Sequence, residues 1–202
     1  MFRTCKCVAL VVVVTFVWCH RPWRAIEHSP GIIAPDAPVQ TAIDKTPLGE
    51  VNGYSIEAVA LYELTARVLG TKRYYAGPGS DLVPVDVAVA WGRMSDQAVL
   101  DRLKISQGNR FFFYQWQNAP PLPPAEIVDH AANMHVIPAN ASVSDLMTRL
   151  RSGEVVRMRG YLVNVTGPRG FFWHTSLTRS DSGHGACEVY YVESAERVAV
   201  GS

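Results

Sequence analysis

The segment from His174 to Glu188 holds the densest collection of groups that could do chemistry: His174, Ser176, Arg179, Asp181, Ser182, His184, Cys187 and Glu188. Nucleophilic catalysis needs a thiol or hydroxyl within hydrogen-bond reach of a histidine that a third group orients. Cys187 with His184 or His174, and Asp181 as the orienter, supply those types. They would make the chain a thiol enzyme or hydrolase. The same residues also suit a tight polar turn, in which Asp181, Ser182 and Gly183 bond to nearby backbone and the cysteine packs inward. The second reading is preferred, because free cysteines are mostly core residues.

Three further groups merit the same test. Asp129, His130, Asn133 and His135 are ligand types, but the two histidines are five apart rather than at the i, i+4 spacing of one helix face. No metal is expected there. Trp91, Gly92, Arg93, Ser95 and Asp96 mark a strand-to-helix junction. Arg93 could meet an anion beside helix amides, although a buried tryptophan, an Arg93–Asp96 contact and a serine cap explain the same residues. The aromatic run Phe111, Phe112, Phe113, Tyr114 and Trp116, with Phe171, Phe172 and Trp173, exceeds what one sheet face needs. An exposed aromatic face marks a partner surface. Trp91, Arg93, Phe112, Tyr114, Trp116, Arg157, Arg159 and Trp173 are therefore the binding candidates.

These residues need a scaffold, and the patterning favours strands. Tyr62, Leu64, Ala66 and Val68 alternate with Leu61, Glu63, Thr65 and Arg67. Val83 to Trp91 reads as a buried strand or a short helix after Pro84. Ser95 and Asp96 open a helix with Val99, Leu100 and Leu103 on its apolar face. Arg110 to Trp116 is a strand. A helix is expected from Pro124 to about Ala132, with proline in its first turn. Ser142 to Asp145 resembles a capping box, and Gly153 suits the end of the helix behind it. Val155 to Val165, Phe171 to Thr178 and Ala186 to Glu193 read as a three-stranded antiparallel meander. The expected class is α+β: a small antiparallel sheet or a partly closed barrel of the OB or SH3 kind, with two or three short helices.

The N-terminus sets the compartment. A basic head, Arg3 and Lys6, leads into an apolar run from Cys7 to Cys19. Thirteen residues at about 1.5 Å each fall short of a ~30 Å hydrocarbon core, yet no small-residue cleavage site follows Val17. The run reads as an uncleaved signal anchor over 1–24, with Trp18 and Trp23 at the interface and Arg21 and Arg24 snorkelling. The expected place is the inner membrane with the bulk in the periplasm, and a cleaved, secreted form is the alternative. A cytoplasmic-facing tethered subunit is a third arrangement. Residues 25–53, broken by Ser29-Pro30-Gly31, Pro35, Pro38, Pro47 and Gly49, read as a flexible stalk. A single domain is expected over 54–202.

Composition narrows the classes. The chain of 202 residues has a net charge of +1 and no run of like charge, which argues against a nucleic-acid partner. Of its four cysteines only Cys187 lies beyond the N-terminal run, so the domain has no internal disulfide. No motif points to a cofactor.

Four stretches resemble a family of uncharacterised bacterial proteins with one N-terminal apolar segment. They are Trp91-Gly-Arg-Met-Ser-Asp96, Ala132-Asn-Met-His-Val-Ile-Pro-Ala139, Val156-Arg-Met-Arg-Gly-Tyr-Leu-Val163 and the run from Thr175 to Glu188. The similarity covers roughly residues 55 to 193. It implies a bacterial, exported, single-domain protein and carries over no functional residue. Gly183-His-Gly-Ala-Cys187 is faintly similar to the Ser-His-Gly-Cys of L,D-transpeptidases. It departs from it, because Ala186 separates Gly185 from Cys187 and Gly183 stands where a serine belongs. The expected function is thus a membrane-tethered periplasmic binding or assembly module without catalytic activity, with an envelope protein as partner. The thiol enzyme built on Cys187 is the alternative.

Overall fold

A computed structural model describes residues 24–178 and 187–201. The strands are β1 (Val39–Val51), β2 (Tyr54–Arg73), β3 (Val85–Ala90), β4 (Leu103–Gly108), β5 (Phe111–Trp116), β6 (Ala131–Pro138), β7 (Val155–Thr166), β8 (Phe172–Trp173) and β9 (Glu188–Val198). Three short helices interleave with them: α1 (Gln97–Leu100), α2 (Pro124–Asp129) and α3 (Ala141–Thr148). The class is α+β, with the sheet dominant.

Strand β2 organises the sheet. Its alternation buries Ala60, Tyr62, Leu64, Ala66 and Val68 on one face, and the irregularity at Val59 turns Ile56 and Ala58 to the other, where they meet Val163 and Val165 of β7. A strand of 20 residues cannot stay flat, and its pairing shifts register at Ala58/Ala60 against β7 and at Val68/Gly70 against β3. Such bulges bend a strand and strengthen its twist. The bent strand pairs with β1 and β7 along its first part and with β3 along its last. The result is a closed circuit of hydrogen-bonded strands, β2-β3-β6-β9-β7 and back to β2. Every pairing is antiparallel except β6 with β9.

The inside of the circuit is the main core. Val85, Val87 and Val89 of β3, Met134 and Val136 of β6, Val156, Met158 and Leu162 of β7, and Tyr190 and Val192 of β9 meet there. Tyr190 O–H donates to the Tyr62 carbonyl at 2.8 Å, and the two rings meet edge-on. Burial pushes the Tyr190 phenol far above its usual range. One end of this core is covered by α3, through Val143 and Met147. At Gly160, where β7 shifts register against β9, a Cβ would lie 2.0 Å from the Tyr191 carbonyl oxygen, so only glycine permits the approach.

Several expectations change. Residues 39–51, expected as stalk, form β1, which joins β2 through the two-residue turn Asn52-Gly53, both at positive φ. The preceding residues are also attached. Ile26 N donates to the Ser152 carbonyl at 2.8 Å, and His28 Nε2 to that of Gly153 at 2.8 Å. Ile33 and Ala34 amides reach Ser95 Oγ, and the Gly31 amide reaches Asp96 Oδ1. Folded structure therefore begins well before Tyr54.

The expected meander is also rearranged. Strand β7 pairs with β2 along one edge and with β9 and then β8 along the other, and β8 is only two residues long. The Pro124 helix stops at Asp129 because β6 starts at Ala131. Asn140 rather than Ser142 caps α3, its Oδ1 accepting from Val143 N at 3.0 Å. Among the described residues no helix is long and apolar enough to cross a membrane. The apolar run 7–19 lies outside the described residues.

Candidate functional site

Alternation fixes the first two members of the most polar buried cluster. Val85, Val87 and Val89 point into the circuit, so Asp86, Ala88 and Ala90 lie on its outside. On β6, His135 is the register partner of Asp86. Both are about 1 % exposed. A buried carboxylate must be paired, and two other elements complete the cluster around it.

The first is the β4–β5 hairpin, which lays Ile105, Phe112 and Tyr114 over Ala88 and Ala90. Its tip, Asn109-Arg110, has φ of 52° and 67°, the geometry of a tight two-residue turn. That turn carries Arg110 over Asp86. Arg110 Nη1 donates to Asp86 Oδ1 at 2.8 Å, and Nη2 donates to the Val83 carbonyl at 3.0 Å. The same Oδ1 accepts from His135 Nδ1 at 2.9 Å. Asp86 Oδ2 is buried with no hydrogen-bond partner among the described residues.

The second element is the loop containing β8. Trp173 packs against His135 at a tilt of 46°, with centroids 4.4 Å apart. The Arg110 guanidinium lies 3.7 Å over the Tyr74 ring and 5.6 Å from that of Trp173, a cation–π clamp. Asn133 Nδ2 donates to the Arg110 carbonyl, and Gln107 Nε2 to Asn133 Oδ1. Cys187 is half-buried, and its Sγ lies 3.9 Å from the Arg110 carbonyl oxygen as donor.

Beside this cluster the loop 74–84 faces the loop that leads into β8. Residues Gly77–Asp81 and Pro168–Phe171 line a cleft of about 720 Å³. Tyr54 forms its floor, edge-on to Phe171 and donating to Asp81 Oδ1 at 3.1 Å. Burial, with the Asp81 carboxylate adding to it, raises the Tyr54 phenol. In the same two loops Tyr75 is 85 % exposed and Phe172 70 %.

The other candidates from the sequence are dispersed. Trp91 is a core residue, 2 % exposed. Arg93 pairs with Glu126 at 3.1 Å rather than with Asp96. Phe112 and Tyr114 are half-buried under the hairpin, and Trp116 stacks on Tyr114 at its more open end. Arg157 pairs with Glu196 and Arg159 with Glu63 on the solvent side of β7. His174 stacks with Phe172 at 5.6 Å. It is also the smallest of the influences holding the Glu57 carboxyl low, the chief one being the Lys45 hydrogen bond. Asp181 and His184 lie outside the described residues.

His130 and His135 are separated, since the His130 ring bonds to the Glu126 carbonyl and packs over Gly92. No group of three metal-ligating side chains occurs among the described residues.

Sequence reasoning singled out Trp173, His135 and Cys187 but passed over Asp86, Arg110 and Tyr74. A signal for Asp86 was present: a lone carboxylate inside Val85-Asp-Val-Ala-Val89 must find a counter-charge. The chain matches no protein-family model, no curated protein and no solved structure.

Proposed function

We propose that this chain is a membrane-tethered envelope binding module, periplasmic, non-catalytic and of partly closed OB-like form. Its binding surface is the cleft between the loop 74–84 and the loop that carries β8. Three features of the strand circuit support the OB-like reading. Ring strands one to five, in chain order β2, β3, β6, β7 and β9, pair as 1-2-3-5-4-1. The pairing of the third with the fifth is the parallel one. A helix, α3, joins the third to the fourth and packs on the end of the core. In OB folds the loops after the first and fourth strands border the ligand surface. Here these are the loops of Tyr75 and Phe172.

Fold alone assigns no ligand. The observation that carries the proposal is that these two loops line one cleft and expose Tyr75 and Phe172. Large exposed aromatics beside a cleft suit an anchor-type contact with an envelope protein. The tether is the apolar run 7–19, with its basic head.

The test is crosslinking of the full chain in intact cells, followed by pull-down and identification. One dominant envelope protein should be captured, and Tyr75→Ala with Phe172→Ala should abolish its capture while leaving the thermal midpoint within about 2 °C. Capture unchanged by that double substitution would remove the cleft from the proposal.

One observation favours a second reading, a thiol enzyme: half-buried Cys187 sits against Arg110, which clamps the Asp86–His135 pair. Thiol titration separates the two. A nucleophile labels fast near neutral pH, whereas a packed thiol labels only on unfolding.

A further inference from the structure

At the end of the circuit where β2 finishes and β7 begins, a cleft of about 870 Å³ opens between α3, β2 and β4. Its charged lining is one-sided. Lys72, Arg73, Arg149, Arg151 and Arg197 face it, and Glu154 is the one carboxylate among its lining residues. Glu154 is 7 % exposed and already engaged, by Arg151 Nε and Nη2 and by Arg197 Nε. Arg149 meets Asp145 only through an exposed pair at 3.4 Å. Arg73 donates to the Thr148 carbonyl. Lys72 and Arg73 project from an exposed strand end. In a chain of net charge +1, this end concentrates positive charge that the rest of the molecule offsets.

The N-terminal segment attaches at the same end. Ile26 N bonds to the carbonyl of Ser152, itself a lining residue of the cleft. The contact is tight, since a Cβ on Gly153 would lie 1.9 Å from the Ile26 carbonyl oxygen. Arg24 and Glu27, on either side of Ile26, offset each other. Only six residues lie between Cys19, the end of the apolar run, and Ile26, so seven peptide steps join them. Fully extended they reach about 25 Å. A long stalk would have let the domain tumble clear of the bilayer, but residues 26–51 belong to the fold. The basic end is therefore held beside the surface that the apolar run enters.

We infer that this cationic cleft docks onto anionic phospholipid headgroups of the bilayer that holds the N-terminal segment. The domain would then lie on the membrane with the basic end down. This rests on the tether proposed above. Each basic side chain near an anionic surface adds attraction that decays within a Debye length, and clustered cations on a short leash multiply it through high effective concentration. The shared chemistry is phosphate binding. The short leash selects the lipid over a free anion.

The test uses the full chain in nanodiscs of phosphatidylcholine alone or with about one-third phosphatidylglycerol, read by lysine acetylation and mass spectrometry. Lys72 is the reporter, and Lys45 and Lys104 are internal references. Lys72 should acetylate about fivefold or more slowly in the anionic discs, with both references unchanged. About 0.5 M salt should remove the protection while the protein still co-elutes with the discs. Arg73→Glu with Arg149→Glu should also remove it. Co-elution with equal Lys72 acetylation in both discs would overturn the docking and leave the tether standing. Failure to co-elute with either disc would overturn the tether and the docking together. Equal protection by inorganic phosphate in neutral discs would replace the lipid by a free anion and overturn the assignment.

Discussion

Asp86 joins three elements through one oxygen. Asp86→Ala would leave Arg110 and His135 facing each other without a counter-charge, in a place where the Asp86 and His135 side chains are at most 2 % exposed. Breaking such a pair costs about 3–5 kcal/mol, and urea unfolding should show it as a lower midpoint with unchanged slope. Glu154 gives a pH signature. Burial works to raise its carboxyl, but bonds from the Arg151 amide, Arg197 and the Arg151 side chain outweigh this and hold it below its ordinary value of 4.5. A carboxyl depressed in the folded state contributes stability above its unfolded value and loses it as pH falls through the folded one. Wild type and Glu154→Gln should therefore differ in urea midpoint at neutral pH, and the gap should close as pH falls below 4.5. A constant gap would mean that the ion pairs of Glu154 are not its contribution. At this scale the sequence was half legible. Trp173, His135 and Cys187 stood out by type, but Arg110 is delivered by a turn and Tyr74 by a loop, and neither contact follows from local pattern.

Strand alternation made β7 and much of β2 readable from the sequence, aromatic content marked β5, the valine-rich stretch of β3 suits a strand and a short helix alike, and proline at the first turn marked α2. Strand β1 was missed although Asn52-Gly53 is a strong two-residue hairpin signal. Its alternation is hidden because β1 lies mostly exposed, with residues from Val39 to Ala42 open to solvent, so no buried face imposes a period. Strand β4 was missed because Leu103 also fits the apolar face of the helix opened by Ser95 and Asp96, although Leu103 and Ile105 alternate with exposed Lys104 and Ser106. The meander misassigned β8 because sequence order does not reveal that β7 pairs with β2 on one side and with β9 on the other. Gly153→Ala tests the attachment of residues 26–34 to the fold. The new methyl would collide with the Ile26 carbonyl, so the amides of Ile26, Ile33 and Ala34 should exchange at least tenfold faster while those of the circuit stay protected. Unchanged exchange would detach the N-terminal segment from the body. On α3, Asn140→Ala removes the N-terminal cap and should cost about 1 kcal/mol, read by thermal unfolding.

For the molecule as a whole, the circuit of strands separates three surfaces. One end carries the basic cleft and the attachment of the N-terminal segment. The outside of β3 and β6 carries the Asp86 cluster under the hairpin. The loops beside it carry Tyr75 and Phe172. Their separation would let the domain, docked as proposed, rest on a surface through one region and present another. Whole-molecule composition could not show this, because a net charge of +1 averages a basic end with carboxylates spread over the rest of the surface, such as exposed Asp36, Asp101 and Asp129. The most direct measurement is site-specific photo-crosslinking in intact cells, with a benzophenone side chain placed in turn at positions 172, 113 and 159 of the full chain. One envelope protein joined from position 172, and not from the hairpin at 113 or the strand face at 159, is the expected result. Equal adducts from 159, or none from 172, would contradict a binding surface at the loop cleft.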